Sequence, residues 1–205
     1  MKGFILKITK AKNEDIIVRV LSKDSINSYY RFYGARHSVL QMGYLIDFEI
    51  EEDNKGFMPR LRNITHIGFP WIYNREKLML WHRFIAIFEP HLRDVTAIEP
   101  FFYETLLDCA KKWHKQSPKR LALEGYIKIL EHEGRLYNPY RCVICNKNIE
   151  NRVAIKKSFL PAHPECINAK SYNLAEIANL IKTKSSINLS DDSVEALLPI
   201  ILKGF

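Results

Sequence analysis

The sequence predicts an α+β protein in which a small β-barrel comes first and helices follow. Three observations lead to this prediction. The first seventy residues alternate apolar and polar side chains in short runs between polar turns, which is typical of β-strands. After residue 74, apolar residues recur at helical spacing between capping residues and prolines. Between the third and fourth of these helices lie two close pairs of metal-ligating residue types.

The composition is that of a folded, basic protein. The chain has 205 residues, of which 47% are hydrophobic, and a formal net charge of +8. This charge favours an anionic partner, nucleic acid first and a membrane surface second. No apolar run approaches the roughly 18 residues of a membrane span, and the start is too short for a signal peptide. We therefore expect a cytoplasmic protein whose four cysteines are thiols or metal ligands.

The N-terminal seventy residues are expected to form one domain. Five short strands, with a connection after the third, match a partly open barrel of the OB type over residues 1–70. The predicted strands are Gly3–Thr9, Ile16–Leu21, Tyr29–Tyr33, Tyr44–Glu51 and Pro59–Ile67.

The third strand has the most unusual composition, four aromatic residues and one arginine. Alternation places Tyr30 and Phe32 on one face, which we expect to enter the core. Tyr29, Arg31 and Tyr33 then share the outer face, where phenols can stack on bases and the guanidinium can pair with phosphate. The alternative is a half-buried sheet face on which tyrosines only cover area.

Positive charge is expected to gather on the outer face of the barrel, while acids collect in 47–53. Such separation suits a track for a polyanion, although strands also place charges outward without any ligand. The candidate nucleic-acid contacts are Lys7, Arg19, Tyr29, Arg31, Tyr33, Arg36, Arg60 and Arg62.

The remaining residues, 71–205, are predicted to form a helical domain after the break at Gly68–Trp71. Helices are expected to begin after Asn74, at Pro100, at Pro118, after Asn173 and after Ser190. A basic stretch at 111–120 joins two of them. Part of its charge offsets a helix dipole. A second set of candidate DNA or partner contacts lies here: Lys112, Lys115, Lys119 and Arg120.

An insert at about 138–168 contains the metal-ligating pairs. Its candidate ligands are Cys142, Cys145, His163 and Cys166. Two pairs with two intervening residues each can surround one tetrahedral ion, for which zinc is the default. Four protein ligands leave no open position, so the site would be structural. The alternative is a set of reduced, metal-free thiols beside an incidental histidine.

The segment 135–157 around the first pair is also basic, with six Lys or Arg against Glu150 alone. It is a further candidate contact for phosphates or an acidic partner. The sequence contains no P-loop, no dinucleotide fingerprint and no H-E-x-x-H motif. We therefore expect a binding protein that uses no nucleotide, and not an enzyme.

Several motifs together resemble the bacterial recombination mediator family RecO, in its shorter form. They are the start at Met1–Leu6, the strand Tyr30–Gly34, the helix start Pro118–Arg120, and a Cys-x-x-Cys insert followed by Phe159–His163. The resemblance implies an N-terminal OB domain, a helical domain and a zinc insert. In the family pattern some members use four cysteines, and here His163 takes one ligand place.

The resemblance also implies a function in recombinational DNA repair. Such a protein binds single- and double-stranded DNA, anneals complementary strands without ATP, and works with RecR to load recombinase onto SSB-covered strands. It would act in the cytoplasm at the nucleoid. The residues themselves leave two alternatives open: an adaptor that binds protein partners through its helical domain and its zinc insert, and an RNA-binding OB protein.

Overall fold

The computed structural model describes residues 1–33, 39–52 and 57–205. They form two compact units, Met1–His114 and Lys115–Phe205. The predicted class, a barrel followed by helices, is confirmed. The last strand of the barrel ends at Ile67, and the first unit continues through helices to His114. A domain boundary after residue 70, with 71–205 as the second domain, stays a prediction.

The first unit is built on a closed barrel with the strand order β1-β2-β3-β5-β4. Its strands are β1 (Lys2–Lys10), β2 (Ile16–Ser22), β3 (Ile26–Arg31), β4 (Leu45–Glu51) and β5 (Arg60–Ile67). Only β3 and β5 pair in parallel, at Tyr30 and Arg60. The other neighbours are antiparallel. The five strands agree with the predicted ones to within a few residues at either end.

The barrel interior is filled by alternate residues of each strand. Its buried core consists of Ile5, Ile16, Val18, Val20, Tyr29, Leu40, Ile46, Phe48 and Leu61. Strand β1 is buried on both faces, since Phe4, Ile5 and Leu6 are all inaccessible to solvent. The outer side of β1 is covered by helices of the same unit, which explains why this strand lacks strict alternation.

The helices of the first unit are α1 (Arg75–Ala86), α2 (Phe88–His91) and α3 (Pro100–Lys112). Asn74 caps α1 by accepting a hydrogen bond from the backbone N–H of Lys77. The three tryptophans of the chain pack together, with Trp81 5.2 Å from Trp71 and 5.0 Å from Trp113 between ring centroids. Each indole N–H donates to a backbone carbonyl, so burial leaves none of the three unsatisfied.

The second unit combines helices with a small sheet. Its elements are α4 (Pro118–His132), β6 (Arg152–Lys156), β7 (Leu160–Ala162), α5 (Pro164–Ile167), β8 (Ser171–Asn173), α6 (Leu174–Thr183) and α7 (Asp191–Ile201). The strand order is β7-β6-β8. The prediction named only helices here, because strands of three to five residues are too short to show a period. No helix within the described ranges is both long and apolar enough to cross a membrane.

Candidate metal centre and nucleic-acid face

The first ligand pair lies on a tight turn that the backbone holds closed. The N–H of Cys142 donates to the carbonyl of Lys147, and the carbonyl of Cys142 accepts from Asn146, both at 2.9 Å. Asn146 adopts a left-handed conformation with φ of 62°, which asparagine tolerates better than most residues. The N–H of Val143 donates to Pro161 in β7, so the turn is fastened to the small sheet.

The second ligand pair is positioned by the same sheet. His163 follows β7 directly, and its backbone N–H donates to the sulfur of Cys142 at 3.4 Å. Cys166 lies one turn later in α5, where its N–H donates to the carbonyl of His163. Strand β7 therefore carries the second pair to the turn that holds the first.

The four ligand atoms all lie within 4.8 Å of one another. The Nδ1 atom of His163 is 3.3 Å from the sulfur of Cys145 and 3.9 Å from that of Cys166. Tetrahedral bonds of about 2.3 Å require ligand atoms about 3.8 Å apart. On the far side of the ring, Nε2 lies 3.0 Å from the carbonyl oxygen of Asn148. A proton on Nε2 leaves the lone pair of Nδ1 directed at the thiols, as in metal-bound histidines.

The electrostatics of the cluster also fit a cation. Burial alone would raise the pKa of Cys142, but N–H groups of Cys145, His163 and Ile144 donate to its sulfur and lower that pKa to about 6. For Cys166, desolvation and then the neighbouring thiols of Cys145 and Cys142 raise the pKa to about 11. The Cys142 thiol therefore ionises readily, whereas ionisation of Cys166 is unfavourable because its negative charge would be repelled by the neighbouring thiolates. A divalent ion removes that repulsion, so the group could hold a metal.

The aromatic strand turns its faces opposite to the prediction. Tyr29 is 2% exposed, lies in the barrel core and packs against Phe48. The expectation that Tyr29 faces outward is therefore wrong, as is the expectation that Tyr30 and Phe32 enter the core. The register with β2 explains the difference, because Tyr29 pairs with buried Val18. A shift of one residue in register would exchange the two faces.

The outer side of β3 and β5 carries a cluster that we call the aromatic–basic face. It consists of Tyr30, Phe32, Tyr33, Arg60 and Arg62. The Phe32 and Tyr33 side chains are 38% and 57% exposed. The guanidinium carbon of Arg60 lies 5.0 Å from the centroid of the Phe32 ring, and Tyr30 meets the same ring edge-on at 5.0 Å.

Two carboxylates belong to the same neighbourhood and set limits on its charge. Asp15 accepts hydrogen bonds from the hydroxyl of Tyr30 and the backbone N–H of Tyr33. Glu51 pairs with Nε of Arg62 at 2.6 Å. Asp15 therefore helps to position Tyr30 and Tyr33, and Glu51 offsets the positive charge of Arg62.

The other predicted barrel cations have structural contacts. Lys7 and Arg19 face each other across β1 and β2. Lys7 pairs with Glu89 at 3.0 Å, and Arg19 donates to the carbonyl of Leu92 at 2.6 Å. Both side chains thus bind the α2 segment to the barrel.

Arg31 and Arg36 complete the predicted set on the barrel. Arg31 shares the side of buried Tyr29, is half-buried, and donates to the carbonyl of Leu61 at 3.1 Å. Burial and then the charge of Arg62 lower the pKa of Arg31. Arg36 lies outside the described residues.

The cations of the predicted second set have intramolecular partners, except Lys115. Lys112 pairs with Asp108 one turn earlier in α3. In the second unit Lys119 pairs with Glu195, and Arg120 binds Asp191 and the backbone carbonyls of Ser186 and Leu189. Lys115 is exposed and forms no ion pair with the part of the chain that is described. A binding role for this set stays a prediction.

Sequence reasoning missed three members of these sites: Tyr30 and Phe32 of the face, and the backbone carbonyl of Asn148 at the metal centre. Phe32 was assigned to the core, although its position next to the turn at the end of β3 could have suggested exposure. Asn148 orients the His163 ring through its backbone carbonyl. Any residue supplies such a carbonyl, so this role could not be predicted from the residue type.

The barrel order, the exposed aromatic and basic side chains and the Cys3His group define a class: an OB-like protein whose second unit can hold a metal ion. Residues 1–72 match the family model described as RecO N terminal. The match covers the barrel, 72 of the 205 residues, and over these residues it confirms the resemblance read from the sequence. No curated protein matches the chain.

Proposed function

We propose that this protein binds DNA strands through the aromatic–basic face and anneals them during recombinational repair. The observation that carries the proposal is the exposed ring of Phe32 beneath the guanidinium of Arg60, on a barrel that matches the RecO N-terminal family. In this arrangement a base can stack on Phe32 or Tyr33 while a phosphate pairs with Arg60.

Annealing then needs no chemistry from the protein. Cations on the face offset the phosphate charge of the bound strand, and a complementary strand approaches against less repulsion. Base pairing supplies the free energy, so neither ATP nor a catalytic residue is required. The edge-on contact with Tyr30 orients the Phe32 ring without DNA, which reduces the entropy cost of ordering this ring on binding.

The finer assignment follows the family. We propose that both single- and double-stranded DNA are bound, and that the protein helps to load recombinase onto SSB-covered strands with RecR as its partner, in the cytoplasm at the nucleoid. We also propose that the metal is zinc, held by Cys142, Cys145, His163 and Cys166. Four protein ligands favour a structural ion, which would link β7 and α5 to the turn that holds Cys142 and Cys145.

Fluorescence anisotropy with a labelled single-stranded oligonucleotide tests the binding proposal. Phe32→Ala is expected to weaken binding about five- to 150-fold, the range for the loss of one stacking partner. Arg60→Ala should weaken binding of every sequence and reduce the salt slope by about 1. Tyr73→Ala is the matched control, because Tyr73 is the most exposed large hydrophobic side chain of the described residues and lies outside the face.

Unchanged affinity in both face variants would remove the face from the binding site. A strand-annealing assay on the same variants should follow the binding losses. Competition with RNA of the same sequence distinguishes the alternative function: a clear preference for RNA would contradict a role in DNA repair.

A further inference from the structure

The exposed apolar side chains of the second unit are concentrated in one stretch of its sequence. Of the large hydrophobic residues exposed in the described second unit, all but Ile187 lie between residues 137 and 144. They are Tyr137, Tyr140, Val143 and Ile144. With Arg141, which sits among them, we call this the knuckle surface.

The metal-binding turn explains why two of these side chains face solvent, but not why they are apolar. The backbone N–H of Val143 is directed at Pro161, and that of Ile144 at the sulfur of Cys142. With the backbone turned inward, the side chains point outward, and polar residues would serve that geometry equally well. Exposed β-branched residues beside exposed tyrosines therefore indicate a ligand.

A concavity of about 290 Å³ opens on this surface. It is lined by Tyr137, Asn138, Arg141, Cys142, Val143 and Asn146. Its volume is just below the range for ligand pockets, about 300–1,000 Å³, so it suits one flat ring better than a peptide segment. Asn138 and Asn146 add amide groups that can bond a ring edge.

Two cations lie at or next to the concavity: Arg141 lines it, and Lys147 directly follows Asn146, which also lines it. Arg141 and Lys147 are exposed and form no ion pair within the described ranges. Glu150 is the single acid of residues 135–157, against six Lys or Arg. An aromatic ring that borders a small concavity, with cations beside it that form no ion pair in the described part of the chain, matches the chemistry that binds a single strand of nucleic acid.

We propose that the knuckle surface is a second binding site for single-stranded nucleic acid. One base enters the concavity against Tyr137, and the adjoining phosphates pair with Arg141 and Lys147. The site is separate from the aromatic–basic face, so a single chain could engage two strands or two segments of one strand. An acidic peptide is the competing ligand, and the concavity favours the nucleic acid.

The test uses the full chain in two backgrounds, wild type and the double variant Phe32→Ala/Arg60→Ala. An oligonucleotide that carries 5-iododeoxyuridine is irradiated with the protein, and the crosslinked peptides are mapped. We expect a crosslink within 137–146 in both backgrounds. In the double-variant background, adding Tyr137→Ala should weaken binding of the oligonucleotide by about fivefold or more.

Matched variants distinguish recognition from folding. Tyr137→Phe keeps the ring and should retain binding, whereas Ile187→Ala removes an exposed side chain of the same unit outside the surface and should have no effect. Metal content and circular dichroism of each variant report whether the turn is intact.

The outcomes separate this proposal from the function proposed for the barrel. No crosslink within 137–146, or a change below twofold for Tyr137→Ala with its metal retained, would overturn the second site. The second site would also be overturned if Tyr137→Ala weakened binding of an acidic peptide and left DNA binding unchanged. If Phe32→Ala and Arg60→Ala have no effect while the crosslink at 137–146 persists, only the barrel proposal fails.

Discussion

Gly43 offers a direct test of how the barrel holds its first helix. Its φ is +83°, and a Cβ added there would lie 2.9 Å from two atoms of the Trp81 indole ring. The carbonyl of Gly43 also accepts the indole N–H of Trp81 at 2.8 Å. Gly43→Ala therefore has three effects: it strains the backbone, it crowds the buried Trp81 ring, and it weakens the hydrogen bond from the Trp81 indole N–H to the Gly43 carbonyl.

The magnitude follows from these three terms. The positive φ costs about 1–2 kcal/mol with a side chain present. Overpacking of a buried ring costs about 1–3 kcal/mol, and a weakened buried hydrogen bond about 1 kcal/mol. We expect Gly43→Ala to lower the free energy of unfolding of the first unit by about 3–6 kcal/mol, a large part of a typical domain stability of about 5–15 kcal/mol.

Urea denaturation followed by tryptophan fluorescence is the suitable assay, because Trp71, Trp81 and Trp113 all lie in the first unit. Gly68→Ala is the control in the same unit: nothing lies within 4 Å of its added Cβ, and a change within about 0.5 kcal/mol is expected. Gly134→Ala isolates the backbone cost, since φ is +66° in open space, and should cost about 1 kcal/mol by circular dichroism. A loss for Gly43→Ala no larger than that for Gly134→Ala would refute the argument from the Trp81 contact.

Two further predictions concern the metal and an ion pair. Cys166→Ser is expected to abolish stoichiometric zinc binding, measured by metal analysis, and to lower the thermal stability of the second unit. Cys109→Ala is the control, because Cys109 is buried and lies outside the ligand set, and it should retain the ion. Full zinc content in Cys166→Ser would contradict the ligand set. Although partial burial by itself raises the pKa of Glu89, its hydrogen bond with Lys7 and the charges of Lys7 and Arg93 lower that pKa overall. The pair therefore stabilises the fold above the unfolded pKa and loses this effect as the pH falls through the folded one. Lys7→Ala should cost up to about 1 kcal/mol in a urea titration at pH 7, and this cost should vanish once the pH falls below the folded pKa of Glu89; a loss that does not change with pH would show that the pair is not responsible.

The aromatic strand shows where reasoning from sequence reached its limit. Residues 29–33 contain rings on both faces, so alternation alone allows either face to enter the core. The choice depends on which residue of β2 lies opposite, and Val18 opposite Tyr29 decides it. That pairing joins residues eleven positions apart, and no local preference of the aromatic strand encodes it.

The basic residues show a second limit. Strand alternation correctly placed Lys7, Arg19 and Arg62 near the barrel surface, but could not tell which of them would find a partner. Glu89 is 82 residues from Lys7, and Leu92 is 73 residues from Arg19. Their pairing arises when helix α2 packs on the barrel, so it became visible only after the chain was folded.

Short-range patterns sufficed for the five barrel strands, for the starts of the longer helices and for the metal quartet, but not for the short strands β6, β7 and β8. Caps, prolines and two Cys-x-x-Cys-like pairs act over two to four residues, and within that span the chain geometry leaves few choices. The facing of Tyr29 and Phe32, the small sheet that brings His163 to Cys142, and the partners of the cations required the three-dimensional structure. Those features depend on register and packing between distant segments, whose energies are set by neighbours that the linear order does not reveal.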